Sequence, residues 1–173
     1  MKILGDERRK LIVEWLKETE EPITGGTLAE KTKVSRQVIV QDISLLKAKG
    51  EPIIATSQGY VYLRLQKEQT NHRRVIACFH KPEDTKKELL LLVDTGVTVC
   101  DVSIEHPIYG DLTASLRVSS RLQVEQFMKK LEETNAGLLS LLTDGTHLHT
   151  IEADSEEKLD AACQSLKKAG FLL

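Results

Sequence analysis

Ile23-Thr-Gly-Gly-Thr-Leu-Ala-Glu-Lys-Thr-Lys-Val-Ser-Arg-Gln-Val-Ile-Val-Gln-Asp-Ile-Ser-Leu-Leu46 contains two helix starts separated by a short polar turn. Thr27-Leu-Ala-Glu30 has the Thr-x-x-Glu spacing in which hydroxyl and carboxylate each accept a free backbone N–H, so a short helix is predicted from Thr27. Ser35 is a good N-cap for the next helix, Arg36 to Lys49, and Gly50 ends it. Upstream, Leu11, Ile12, Trp15 and Leu16 form an apolar stripe at helical spacing between Asp6 and Thr19, closed off by Pro22-Ile-Thr-Gly-Gly26. Downstream, Pro52-Ile-Ile-Ala-Thr56 and Gly59-Tyr-Val-Tyr-Leu63 read as two strands joined through Ser57-Gln58-Gly59.

Three helices with a tight turn before the third, followed by a β-hairpin, are the layout of a winged helix-turn-helix. In that layout the N-terminal half of the third helix meets base edges in the major groove. Val34, Val38, Ile39, Ile43, Leu45 and Leu46 are its expected inward set. Arg36, Gln37, Gln41 and Ser44 fall on the other side, beside Ser35. Arg can grip guanine and Gln can grip adenine through paired hydrogen bonds. With Gln58 at the hairpin tip, these are the candidate contacts to a double-stranded DNA operator, and Lys31, Lys33, Lys47 and Lys49 are placed to meet phosphates. The same residues would also suit the solvated face of an ordinary amphipathic helix; the ordered set of caps, turn and wing favours DNA. Ile23-Thr-Gly-x-x-Leu-Ala-x-x-x-x-Val-Ser-Arg-Gln-x-Ile-x-x-Asp-Ile-x-x-Leu46 resembles the winged-helix domain of biotin-repressor-type regulators, a likeness that covers residues 5–65.

The 173 residues are 40% hydrophobic and 29% charged, ordinary for a folded protein, and allow one mid-sized domain or two small ones. No apolar run exceeds the five residues of Leu89–Val93, far short of the roughly 20 that a spanning helix needs, so no membrane partner is expected. The start MKILGDERRK is charged too early for a signal peptide, and an odd count of three cysteines fits a reducing compartment, so a cytoplasmic protein is expected. The polar stretch Gln66–Arg74 marks a boundary between domains at 1–66 and 72–173. Residues 1–66 hold 11 Lys and Arg against 9 Asp and Glu, and residues 67–173 hold 13 against 17. The net charge of −2 thus hides a slightly basic and a slightly acidic half, and neither imbalance is large enough to fix the partner.

In the second half, Arg74–His80 reads as a strand and Pro82–Val93 as a helix closed by Gly96. Val97–Glu105 and Asp111–Val118 read as paired strands, followed by a helix carrying Val124, Phe127, Met128 and Leu131. Leu138–Leu142 fits a strand or a bend, Gly145–Glu152 a strand, Ser155–Ala169 a helix and Phe171–Leu173 a terminal strand. The expected fold class is α+β: an N-terminal winged helix-turn-helix followed by a small α+β sandwich. All five histidines lie at position 72 or later. In His147-Leu-His149 the two-residue period of a strand turns both imidazoles the same way, which is half of a transition-metal site. Cys78-Phe-His80 repeats that spacing, and Glu88, two turns into the following helix, can fold back toward His80. A His-x-His pair also arises by chance on surface strands. Cys78, as a small buried hydrophobe, is left outside the site.

Strand–His80–helix, Glu105-His-Pro-x-Tyr-Gly110 and Leu142-Thr-x-Gly-x-His-x-His149, in that order, resemble the domain named for three histidines, found in niacin-responsive transcriptional repressors. The likeness spans residues 72–173. It implies that His80, Glu88, His147 and His149 bind a divalent transition metal such as nickel or zinc, and that nicotinic acid is the co-repressor. His106 and Tyr109 would then line the effector pocket or support the metal site, and the effector carboxylate would meet the metal, Arg121 or Arg117. The expected function is a DNA-binding repressor of NAD-biosynthesis or niacin-uptake genes, not an enzyme. A homodimer is expected because helix-turn-helix repressors read paired half-sites. Two alternatives stand beside it. The metal itself can be the signal, or the chain can be a metal-dependent hydrolase with a DNA-binding domain, although no general base is assigned and no nucleophile elbow is present.

Overall fold

The computed structural model of the chain describes residues 4–64 and 71–173 and divides into two units, Met1–Lys67 and Glu68–Leu173. Of the polar stretch Gln66–Arg74, residues 66–70 lie outside the described residues and 72–74 open a strand. No helix among the described residues is long and apolar enough to cross a membrane.

The first unit is built from α1 (Gly5–Glu18), α2 (Gly25–Thr32), α3 (Arg36–Ala48) and the hairpin β1 (Ile53–Thr56) to β2 (Gly59–Tyr62). Helix α2 starts two residues before the predicted Thr27. Thr24 is the cap and accepts the Thr27 N–H at 3.1 Å. The shift follows from the preceding residue: Ile23 is pinned to Tyr60 by two backbone hydrogen bonds of 3.0 and 2.8 Å, which leaves Thr24 extended and ready to cap. That contact needs a glycine in the wing. Gly59 has φ +136°, and a Cβ on it would lie 2.7 Å from the Ile23 carbonyl. Lys33, left-handed at φ 54°, makes the tight turn into α3, where Ser35 accepts the Val38 N–H at 3.4 Å.

Ile12, Leu16, Leu28 and Ile39 form the fully enclosed centre, ringed by Ile43, Leu46, Ile53 and Tyr60. Leu45, expected inside, is 48% exposed. Successive helical residues are about 100° apart, so the buried stripe Ile39–Ile43–Leu46 leaves position 45 turned away from the core. Val34 and Val38 are half-buried at its margin. One ion pair is enclosed with these apolar groups: Arg8 Nε meets Asp42 Oδ2 at 2.5 Å, and Arg9 Nη1 reaches Oδ1 of the same carboxylate at 3.0 Å.

The second unit follows the order β3 (His72–Phe79), α4 (Thr85–Val93), β4 (Thr98–His106), β5 (Gly110–Val118), α5 (Arg121–Thr134), β6 (Thr146–Ala153) and α6 (Glu156–Ala169). Its four strands form one antiparallel sheet in the order β3-β6-β4-β5. Ile76, Cys78, His147, His149 and Ile151 point to the buried face, packed beneath Leu89, Leu92, Val124, Leu159 and Leu166 of the helices. Val75, Phe79 and Leu148, at the alternate positions, are exposed. The predicted helix Pro82–Val93 begins as a 3-10 turn, Pro82–Asp84, and the ambiguous segment near Leu138 is a 3-10 helix, Leu139–Thr143. Phe171–Leu173 is not a full strand. It contributes one bridge, Cys78 to Leu172, flanked by two backbone hydrogen bonds to β3.

Candidate metal centre

Antiparallel pairing of β3 with β6 sets His147 opposite Cys78 and His149 opposite Ile76. The two-residue period turns both imidazoles to the buried face, and Leu148 faces out at 40% exposure. His80 follows β3 directly, and Glu88 lies one turn into α4. All four side chains are buried and they meet at one point. His80 Nε2 lies 2.7 Å from Glu88 Oε2, His149 Nε2 lies 3.3 Å from Oε2, and His147 Nε2 lies 3.2 Å from Oε1.

The outer nitrogens show how these rings are set. His80 Nδ1 is 2.8 Å from the Lys81 carbonyl, His147 Nδ1 is 2.8 Å from the Gly145 carbonyl and His149 Nδ1 is 2.6 Å from the Asp101 carbonyl. A carbonyl only accepts, so each Nδ1 carries a proton and each Nε2 is turned to the centre, where it would offer a lone pair to a bound metal and, without metal, can donate a hydrogen to Glu88. Backbone-anchored imidazoles of this kind are the usual support of metal-ligating histidines. Three such nitrogens and a carboxylate fit zinc or nickel by ligand type. Gly145 makes the approach possible. Its φ is +102°, and a Cβ there would lie 2.5 Å from the His80 carbonyl oxygen.

Burial alone would raise the pKa of Glu88, but hydrogen bonds from His147, His149 and His80 hold it far below the carboxylate range. For His149 and His80, burial pushes the other way, yet Glu88 and the backbone carbonyls hold both above the ordinary imidazole value. These directions make a pH prediction. In chelator, the Glu88 contribution to stability is present above about pH 4.5 and is lost as pH falls below it. The histidine contribution is complete below about pH 6.5 and is lost as pH rises through their raised values. The metal-free C-terminal unit therefore melts highest between these limits, whereas metal affinity, which needs neutral imidazoles, weakens as pH falls into the same range. A chelated melting temperature that climbs steadily from pH 6.5 to 8 contradicts this.

Cys78 Sγ lies within 4.8 Å of ligand atoms of Glu88 and His147, closer than its exclusion from the sequence-based site implies. Burial and the neighbouring Glu88 push its thiol pKa up, which disfavours the thiolate that metal binding needs. The quartet forms one wall of a cavity of about 180 Å3, otherwise lined mostly by Leu89, Val102, Leu116, Phe127, Leu131 and Leu138. Nothing in the spacing of these apolar residues distinguishes them from ordinary core.

The structure does not bring His106, Tyr109 or Arg121 to this cavity. His106 Nδ1 accepts the N–H groups of Ile108 and Tyr109 at 3.2 and 3.3 Å, and Tyr109 is 74% exposed at the tip of the β4–β5 hairpin. Arg121 forms two hydrogen bonds of 2.6 and 2.5 Å with Asp94 on the surface. Arg117, at a positive φ of 57° near the end of β5, is likewise outside the lining. In the first unit Ser35, Arg36, Gln37, Gln41 and Ser44 are all exposed along α3. Ser44 Oγ donates to the Val40 carbonyl at 2.8 Å. Gln58 is half-buried in the wing and donates to Ser57 Oγ at 3.1 Å.

A helix-turn-helix with a two-stranded wing, joined in one chain to a unit that encloses three histidines and a carboxylate, is the build of a DNA-binding regulator with a second domain. Comparison with known proteins agrees. Residues 73–173 match the 3H domain and residues 8–61 match an HTH domain. The chain is 58% identical to "Transcription repressor NadR" of Bacillus subtilis over 174 residues, covering 100% of this chain and 97% of that one. It is 43% identical to "Probable transcription repressor NiaR" of Thermotoga maritima over 173 residues, again covering 100% and 97%. The chain belongs to this 3H-domain family of helix-turn-helix transcription repressors, regulators rather than enzymes, and the hydrolase alternative falls away.

Proposed function

We propose that this chain represses genes of NAD biosynthesis or niacin uptake by binding a double-stranded DNA operator as a homodimer, with nicotinic acid as co-repressor. The proposed sensor is a divalent metal, nickel or zinc, held by His80, Glu88, His147 and His149. One observation carries the reading: a cavity of about 180 Å3 has the four convergent ligands as part of its wall. A cavity of about 150 Å3 is enough for benzene, so this one suits a single aromatic ring with a small acidic substituent. Nicotinate would bind better to the DNA-competent arrangement and shift the population toward it. The operator lies on the chromosome, which makes the cytoplasm the proposed place of action.

The test is a DNA shift assay on such promoters, with metal-loaded protein, with and without nicotinate. Tighter binding with nicotinate is expected; unchanged affinity sinks the effector assignment. Full DNA binding with metal alone favours the reading in which the metal is the signal. Arg36→Ala and Gln37→Ala each test the reading head. If the exposed start of α3 contacts base edges, each loses about 1–3 kcal/mol of operator affinity and leaves binding to unrelated DNA much less affected.

A further inference from the structure

Thr85 is the first residue of α4, one turn before Glu88 and on the same side of the helix. It is 7% exposed and belongs to the cavity lining. Its hydroxyl does not cap the helix, and among the described residues Oγ1 has no hydrogen-bond partner. A buried hydroxyl left unpaired costs free energy, and so it is a ready-made donor for an acceptor brought in by a ligand. No Lys or Arg is present among the described residues of the lining. The cavity thus offers a ligand two poles: the cation that the His–Glu quartet is suited to hold, and the neutral hydroxyls of Thr85 and Ser140, of which Thr85 Oγ1 is the one that is buried with no partner among the described residues.

We infer that Thr85 is the residue that selects a nitrogen heteroaromatic acid over its carbocyclic counterpart, by donating its Oγ1 hydrogen to the ring nitrogen; this rests on the proposed reading of the cavity as the nicotinate site. The orientation follows from charge. A buried carboxylate needs a cation, and a single hydroxyl cannot replace one. The acid group therefore belongs at the quartet end and the uncharged ring acceptor at Thr85, with Leu89, Val102, Leu116 and Phe127 against the ring faces. Benzoate has the charge and the ring but no acceptor for Thr85. Nicotinamide has the acceptor but no charge for the quartet end.

The experiment is calorimetric titration of the full-length metal-loaded protein with nicotinate, benzoate and nicotinamide, for wild type, Thr85→Val and Thr85→Ser, with metal content measured on each sample. Valine keeps the shape and removes the donor; serine keeps the donor. Wild type should prefer nicotinate to benzoate by about tenfold or more. Thr85→Val should lower nicotinate affinity by about that factor and erase the preference, and Thr85→Ser should restore it. Equal loss of nicotinate and benzoate in Thr85→Val, at normal metal content, overturns the inference, because the hydroxyl would then serve the carboxylate or the fold. Unchanged nicotinate affinity in Thr85→Val overturns it as well. Wild-type protein that carries metal and binds no nicotinate overturns both the inference and the nicotinate reading beneath it.

Discussion

His147→Ala should empty the metal centre. Mutating only the groups that orient a metal ligand typically costs 10–100-fold in affinity. Loss of a ligand nitrogen that lies 3.2 Å from the shared carboxylate should therefore cost well over about a hundredfold. Metal retained after dialysis, measured by mass spectrometry, is the readout. Saturating metal at about a thousand times its Kd stabilises the native state by about 4 kcal/mol. The wild-type C-terminal unit should therefore melt about 10 °C or more higher with metal than in chelator. In His147→Ala that difference should collapse. Cys78→Ala is the control: if the thiol stays protonated beside the quartet, metal content is kept and the cost is confined to a small packing defect. Metal binding retained in His147→Ala and lost in Cys78→Ala would move the centre toward the cysteine side.

The second large effect is expected in the first unit. The Asp42 carboxylate is enclosed, with a side-chain exposure of 3%, and it neutralises Arg8, whose side chain is 8% exposed. Asp42→Ala removes the enclosed carboxylate that meets both Arg8 and Arg9. Removing one partner of a buried pair costs about 3–5 kcal/mol, and a unit of this size loses about 4–8 °C in Tm per kcal/mol. The helix-turn-helix should thus melt at least about 12 °C lower, and operator binding should fail at physiological temperature. Metal content in the C-terminal unit should stay unchanged. Asp6 also pairs with Arg9, at 2.5 Å, but its side chain is 88% exposed; Asp6→Ala should leave Tm nearly unaltered because surface pairs contribute little. Equal effects of the two substitutions would refute the buried-pair account.

Much of this molecule could be read from local patterns. Ser35 caps α3 where its side-chain chemistry predicts, and the alternation in His147-Leu-His149 does turn both rings inward. The structure departs from local expectation where a distant segment intervenes. The cap of α2 moved to Thr24 because Tyr60, in the wing, fixes Ile23. Arginine suits a carboxylate effector, and the structure pairs Arg121 with a carboxylate of its own chain, Asp94, 27 residues away. His106 and Tyr109 form a turn motif that closes on itself at the hairpin tip. Thr85 carried no signal at all, since an unpaired hydroxyl is defined only by what surrounds it.

Residue type, period and capping chemistry act over a few residues, which is why a capped, winged helix-turn-helix and a strand with two inward imidazoles were legible in the chain. Whether those imidazoles have a common target is a different matter. Glu88 is 59 residues from His147 and 61 from His149, and no spacing rule reaches that far. Insertion of β6 between β3 and β4, with α4 laid across the buried face, brings the four candidate side chains together and leaves the cavity beside them. That arrangement comes from strand pairing and core packing over long loops, so tertiary structure alone could turn a list of histidines into a candidate site.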